Sequence, residues 1–266
     1  MRVFLSALAA ACAVLAAAPV AAQIATADVT GGTLAGEVSD GLSEFKGIPF
    51  AAPPTVENRW RKPQPVVPWH GTREAREFGA ACMQAEPMLR QMGSQQPMSE
   101  DCLFADVWTP AASTADKLPV IVWIHGGGYN GGSPSVPLYD GAQFARQGVV
   151  FVSLAYRVGP FGFLASAELS AEAGAGSGNW GLLDMVAGLE WVQANIAQFG
   201  GDPGRVTVMG HSAGASAVSI LAASPLARAL FHGVIAESGA NFAPAQAEEA
   251  FAGGGLFTLA AAERQG

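Results

Sequence analysis

Gly210-His211-Ser212-Ala213-Gly214 fits the pattern G-x-S-x-G. So short a pattern also arises by chance, so its neighbours decide what it means. An apolar run over residues 206–209 precedes it, and residues 213–223 are all Ala, Gly, Ser, Val, Ile or Leu. Strand, sharp turn and helix are the setting of a nucleophile elbow. The turn forces Ser212 into a strained backbone conformation, and the glycines two residues to either side avoid the resulting clash. The helix N-terminus behind Ser212 adds positive potential where a negative oxygen would develop. A second piece, His125-Gly126-Gly127-Gly128, stands at the end of the apolar run 120–124. Its glycines leave backbone N–H groups unshielded. With the N–H of Ala213, those of Gly127 and Gly128 are expected to form a three-donor oxyanion hole. A phosphate loop would need Lys followed by Ser or Thr after the glycines, and none follows. The chemistry indicated is acyl transfer through Ser212, with neither a metal nor a cofactor called for.

A serine needs a base, and the chain has four histidines. His211 adjoins Ser212 in the turn, where successive side chains diverge. His125 belongs to the glycine loop, and both are expected to shape the site rather than abstract a proton. His232 reads as a packing residue ahead of a strand, and His70 as a surface residue in an irregular region.

Four short apolar runs bounded by turn residues, 120–124, 149–155, 206–209 and 233–236, read as strands covered on both faces. Between them lie helical patterns. Over residues 180–197, Leu182, Met185, Val186, Leu189, Val192 and Ile196 recur at helical spacing, with Asp184, Glu190 and Gln193 elsewhere on the wheel. Alternating strands and helices predict an α/β fold with a mainly parallel sheet and helices on both faces. Residues 28–54 show short β-like pieces ending in a Pro/Gly-rich stretch, and the polar, Met- and Gln-rich residues 83–100 read as a surface loop.

Half of the residues are hydrophobic and 14% are charged, which excludes disorder for the chain as a whole. A formal charge of −8 argues against nucleic acid as a partner, because a basic face would be needed to displace counterions from phosphates. A small-molecule ester is the expected partner. Arg2, the acid-free apolar stretch 3–20 and the small residues up to Ala22 read as a signal peptide, residues 1–22, cleaved before Gln23. The alternative is a retained anchor, though the run is at the short limit for a bilayer span. An exported protein, secreted or periplasmic, with no membrane span after cleavage is expected, residues 23–266 forming one domain. Of the three cysteines, Cys82 and Cys102 remain after cleavage as an even pair. A bridge between them would close a loop of about 20 residues, worth about 3 kcal/mol in the chain-entropy model; two buried free thiols are the alternative.

Several further blocks carry a resemblance. They are Phe45-Lys46-Gly47-Ile48-Pro49-Phe50-Ala51, Ser99-Glu100-Asp101-Cys102-Leu103, Tyr156-Arg157-Val158-Gly159-Pro160-Phe161-Gly162-Phe163-Leu164, Gly178-Asn179-Trp180-Gly181-Leu182-Leu183-Asp184 and Phe199-Gly200-Gly201-Asp202-Pro203. With the two glycine motifs, they make the chain resemble, from about Gly31 to Gly239, the N-terminal half of a type-B carboxylesterase of the cholinesterase-like family. The resemblance implies an α/β-hydrolase fold truncated before its last strands, with Ser212 as nucleophile and Gly127, Gly128 and Ala213 as oxyanion donors. It implies a disulfide between Cys82 and Cys102 and buried ion pairs Arg59 with Glu100 and Arg157 with Asp184, so that Asp184 is structural. The family usually has Glu just before the nucleophile, and here His211 stands there. Its catalytic acid and histidine lie in the second half of longer chains, so the resemblance implies that both are missing from this sequence, which ends at Gly266. Some relatives keep the fold as binding proteins without catalysis, against which the intact elbow argues; others on the same fold are peptidases, an alternative that parallel ester and amide assays would decide.

Overall fold

The computed structural model describes residues 23–239, 258–264 and 266. The expected signal peptide, residues 1–22, lies outside the described residues. Seven strands form the main sheet: β1 (Glu37–Ser39), β2 (Leu42–Pro49), β3 (Phe104–Thr109), β4 (Leu118–Ile124), β5 (Val150–Leu154), β6 (Gly201–His211) and β7 (Gly233–Glu237). Their spatial order is β7-β6-β4-β5-β3-β2-β1. The four apolar runs are β4 to β7, and each pairs in parallel with its neighbour among the four. From β5 onward, β3, β2 and β1 join antiparallel, giving a mixed α/β sheet.

The apolar runs follow from cover on both faces. Val120, Val122 and Ile124 of β4, Val150, Val152 and Leu154 of β5, and Val206 and Val208 of β6 share one core with residues of α1 (Trp180–Asn195) and α2 (Ala213–Ala223). Trp123, Phe151 and Met209 alternate to the opposite face, where Leu42, Trp108 and the short helix Ala142–Ala145 cover them. Each such side chain gains about 1.5–3 kcal/mol on burial. At the β7 edge the cover thins, and Val234 and Ile235 are 42% and 40% exposed.

Three local expectations need correction. β6 starts at Gly201, not residue 206, because Gly201 pairs with Leu118 ahead of a bulge that accommodates Pro203. Within 83–100, residues Glu86–Gln91 form a helical turn that buries Leu89, and Met98-Ser99 pairs with Ala81-Cys82. α1 is buried around most of its circumference instead of having one apolar face, and Asp184 is fully buried, as the resemblance implied. Its charge is met by Arg157, whose Nε and Nη2 donate to the two carboxylate oxygens at 2.8 and 2.7 Å. The Arg157 backbone N–H adds a third bond, at 3.0 Å. Burial raises the Asp184 carboxyl above its ordinary range, and the Arg157 charge and these bonds oppose that rise.

A second buried carboxylate has no arginine. Asp106 on β3 accepts the Gly47 N–H at 2.8 Å, where β2 bulges between Phe45 and Ile48. Burial pushes its carboxyl up to about 7, against the smaller pull of the Gly47 N–H and the Lys46 charge. The folded state therefore holds this proton more tightly than the unfolded chain. The associated stability is fully present below about pH 4, falls as pH rises towards about 7, and is flat above. Asp106→Asn, which still accepts the Gly47 N–H, should remove that fall. Urea midpoints at several pH values test this: the variant should gain on the wild type between pH 4 and 7, and a constant difference would count against it.

Candidate active site

β6 ends at His211 and α2 begins at Ala213, so the whole turn is made at Ser212, with φ 55° and ψ −121°. A non-glycine residue held at such angles costs about 1–3 kcal/mol, so the surroundings must enforce it. Its N–H donates to the Glu237 carbonyl at the end of β7 at 2.8 Å, and its carbonyl accepts from Ser216 at 3.0 Å. Backbone contacts then leave no room for side chains nearby. A Cβ on Gly210 would strike the Gly214 carbonyl, one on Gly214 the Ile124 carbonyl, and one on Gly239 the Ser212 carbonyl.

The glycine loop leaves β4 beside this turn. A Cβ on Gly126 would stand 2.7 Å from the His211 oxygen and 3.1 Å from Ser212 Cβ, so only glycine lets loop and elbow meet. Gly127 and Gly128 follow with φ 125° and 62°. The Gly127 carbonyl closes the loop by accepting from Asn130 and Gly131 at 3.0 and 3.2 Å. Gly128 is exposed, with open space where a Cβ would be. Among the described residues, the N–H groups of Gly127, Gly128 and Ala213 donate to no backbone carbonyl. Three free donors next to a half-buried serine can hold an anionic oxygen.

No described group hydrogen-bonds Ser212 Oγ, and all four histidines are described. His125 is buried: its Nδ1 lies 2.9 Å from the Gly126 carbonyl and its ring stacks on Tyr156 with centroids 4.3 Å apart. Burial lowers its pKa to about 4, so it is neutral at physiological pH. Tyr156 Oη donates to the His125 carbonyl at 2.9 Å, tying the glycine loop to the chain just beyond β5. His232 ties β6 to the start of β7, its N–H donating to the Val206 carbonyl at 2.7 Å and its Nδ1 accepting the Val206 N–H at 3.3 Å. His211, His70 and His232 are exposed, so His232 ties the two strands at the surface instead of packing in the core as expected.

Cys82 and Cys102 are joined by a disulfide. Arg59 grips Glu100 with two bonds of 2.6 Å. That pair is only partly covered, at 38% and 22% exposure, in contrast to the 3% and 0% of Arg157 and Asp184. Gln84 was not singled out in the sequence, yet its side chain bonds the glycine loop at Gly132. Its place two residues after Cys82 is the one available signal, and it points to no chemistry by itself. No helix among the described residues is long and apolar enough to cross a membrane.

Comparison with known proteins adds a consistent picture. The model of the "Carboxylesterase family" matches residues 18–263. The chain is 48% identical over 226 residues to a fumonisin B1 esterase of Sphingopyxis macrogoltabida, covering 84% of this chain and 42% of that one. It is 45% identical over 212 residues to the para-nitrobenzyl esterase of Bacillus subtilis (strain 168), covering 79% and 42%. Among solved structures, a PNB esterase superposes with a TM-score of 0.78 at 41% identity, over 84% of this chain and 46% of that one. The chain thus spans less than half the length of the relatives it matches.

The glycines of the two motifs differ in what they tolerate. Gly214→Ala drives a methyl group into the Ile124 carbonyl and should lower stability by about 1–3 kcal/mol or more. Gly128→Ala meets open space and pays only for its positive φ, about 1–2 kcal/mol. Urea denaturation of both variants checks the order, and a Gly214→Ala protein as stable as Gly128→Ala would contradict the close contact.

Proposed function

The chain belongs to the carboxylesterase family, and from that premise we propose that it carries the nucleophile and oxyanion hole of an exported serine carboxylic-ester hydrolase. Ser212 attacks the ester carbonyl, its proton passing to a base as the Oγ–C bond forms. The carbonyl oxygen becomes an oxyanion held by the N–H groups of Gly127, Gly128 and Ala213. Collapse expels the alcohol, which takes up the proton, and leaves an acyl group on Ser212. Water then repeats the sequence and releases the acid. The observation that supports this reading best is the pairing of a strained Ser212, whose Oγ has no hydrogen bond among the described residues, with three backbone donors that bond none of those residues.

The base and its acid partner are supplied, in this reading, from outside the sequence given. His125 is bonded and neutral, His232 is tied into the sheet, and Asp184 is saturated by Arg157. Export rests on the leader-like residues 1–22, and the acyl-enzyme reading agrees with the ester hydrolases among the relatives. Carboxylic esters are the substrate class.

Two measurements test the reading. In the full-length protein, p-nitrophenyl butyrate should be turned over with Ser212 labelled stoichiometrically by a fluorophosphonate, and Ser212→Ala should abolish both. Residues 23–266 alone should lack this turnover, since removing the base of a known triad hydrolase costs about 10⁶ in kcat. Ser212-dependent turnover above about 1 s⁻¹ by residues 23–266 would place the base within them, with His232 the first candidate.

A further inference from the structure

We propose that Gln84 is a positioning residue for the oxyanion hole: its side-chain amide, carried on the segment anchored by the Cys82–Cys102 disulfide, clamps the glycine loop at Gly132. The proposal rests on the reading that Gly127 and Gly128 hold the oxyanion.

The clamp has two points. Gln84 Nε2 donates to the Gly132 carbonyl at 2.8 Å, and Gln84 Oε1 accepts the Gly132 N–H at 2.8 Å. One side-chain amide therefore pairs both backbone groups of a single residue, as a neighbouring strand would, and Gly132 can neither slide nor tilt without losing a bond. The second Nε2 hydrogen is spent on the Cys82 carbonyl at 3.0 Å, which fixes the amide to the backbone of the disulfide cysteine. Gly132 is buried, so no water replaces these bonds if the amide is removed.

The clamp connects to the oxyanion donors through backbone contacts with no slack. A Cβ on Gly127 would strike the Gly131 carbonyl, and one on Gly132 would strike the His125 ring. A Cβ on Gly131 would stand 2.6 Å from Gln84 Oε1 and 2.8 Å from Met88 Sδ. Gly131 is also bonded to the Gly127 carbonyl at 3.2 Å. Residues 131–132 are thus wedged between Gln84 on one side and Gly127 on the other. A shift at Gly132 reaches the Gly127 donor directly, and the hole tolerates little displacement, because misplacing a reacting group by about 1 Å can cost about 10²-fold in rate.

The amide is the side chain this task needs. A methionine fills the same space but bonds neither group of Gly132. A glutamate keeps the acceptor and loses the donor, setting its charge against the carbonyls of Gly132 and Cys82.

The test uses the full-length protein with Gln84→Met and Gln84→Glu. In both, kcat should fall at least about tenfold, short of the about 10²–10³ lost with a whole oxyanion donor, while KM stays within about twofold. Affinity for a trifluoromethyl ketone, which forms a tetrahedral oxyanion on serine, should fall by the same factor as kcat/KM. The Gln84→Glu deficit relative to wild type should narrow between pH 8 and pH 5, as the protonated carboxyl regains a donor for the Gly132 carbonyl. Wild-type kcat in a folded Gln84→Met, or lost kcat with unchanged ketone affinity, would overturn the clamp and leave the esterase reading standing. If Gln84→Met does not fold, the Gln84→Glu ratio decides, and a ratio that stays flat with pH overturns the clamp. A wild-type protein with no Ser212-dependent turnover would overturn both.

Discussion

Everything at the site depends on one backbone contact, that of Gly126 with His211 and Ser212. β4 and β6 lie side by side and parallel, with Ile124 opposite Gly210, so the chain leaves both strands at the same sheet edge and the same height. The glycine loop and the elbow then press together at distances that admit no Cβ on either. Three glycines, Gly126, Gly210 and Gly214, are needed for that approach, and Ser212 accepts a strained backbone because its neighbours leave it no alternative. The approach brings the Ser212 turn and the loop that carries Gly127 and Gly128 side by side.

The rest of the molecule holds this contact from several directions. Cover on both faces makes β4, β5 and β6 rigid. Tyr156 ties the His125 carbonyl to the chain beyond β5, and Gln84 ties Gly132 to the disulfide segment. Arg157, next after Tyr156, is locked to Asp184 of α1 and also donates to the Arg61 carbonyl at 2.8 Å. A buried pair of this kind adds little net stability over an apolar equivalent, but breaking it costs about 3–5 kcal/mol, so it enforces one arrangement. The anchors come from four separate stretches of chain, and each meets the glycine loop or its immediate support.

The electrostatics follow from the same packing. His125, fully buried against Tyr156, is held neutral, so it adds no charge next to the glycine loop. The positive potential at the site comes from oriented backbone N–H groups and the start of α2, which packing holds in place. The two buried carboxylates among the described residues, Asp106 and Asp184, are already engaged by Gly47 and Arg157, and neither hydrogen-bonds Ser212.

The parts whose cause is local could be read from residue order alone. Strands β4 to β6 were legible because cover on both faces demands unbroken apolar runs, whereas β7 has the apolar run without that cover, and the elbow was legible because a turn without room for a Cβ demands glycine at fixed offsets from Ser212. The parallel half of the sheet followed from the alternation of strands and helices. The remaining assignments depend on partners far along the chain. The helical wheel only left Asp184 off the apolar stripe, and the resemblance alone tied it to Arg157 27 residues away, because the wheel registers only neighbours on the same helix. Gln84 looked like one more polar residue in a surface loop, since Gly132 is 48 residues away and a half-buried amide has no pattern of its own. The histidines, too, were sorted by contacts that no spacing reveals: a ring stack for His125 and a strand tie for His232. Burial and bonding are properties of the assembled core, so residue type and spacing mark where the chemistry sits, while packing decides which side chains are free to take part.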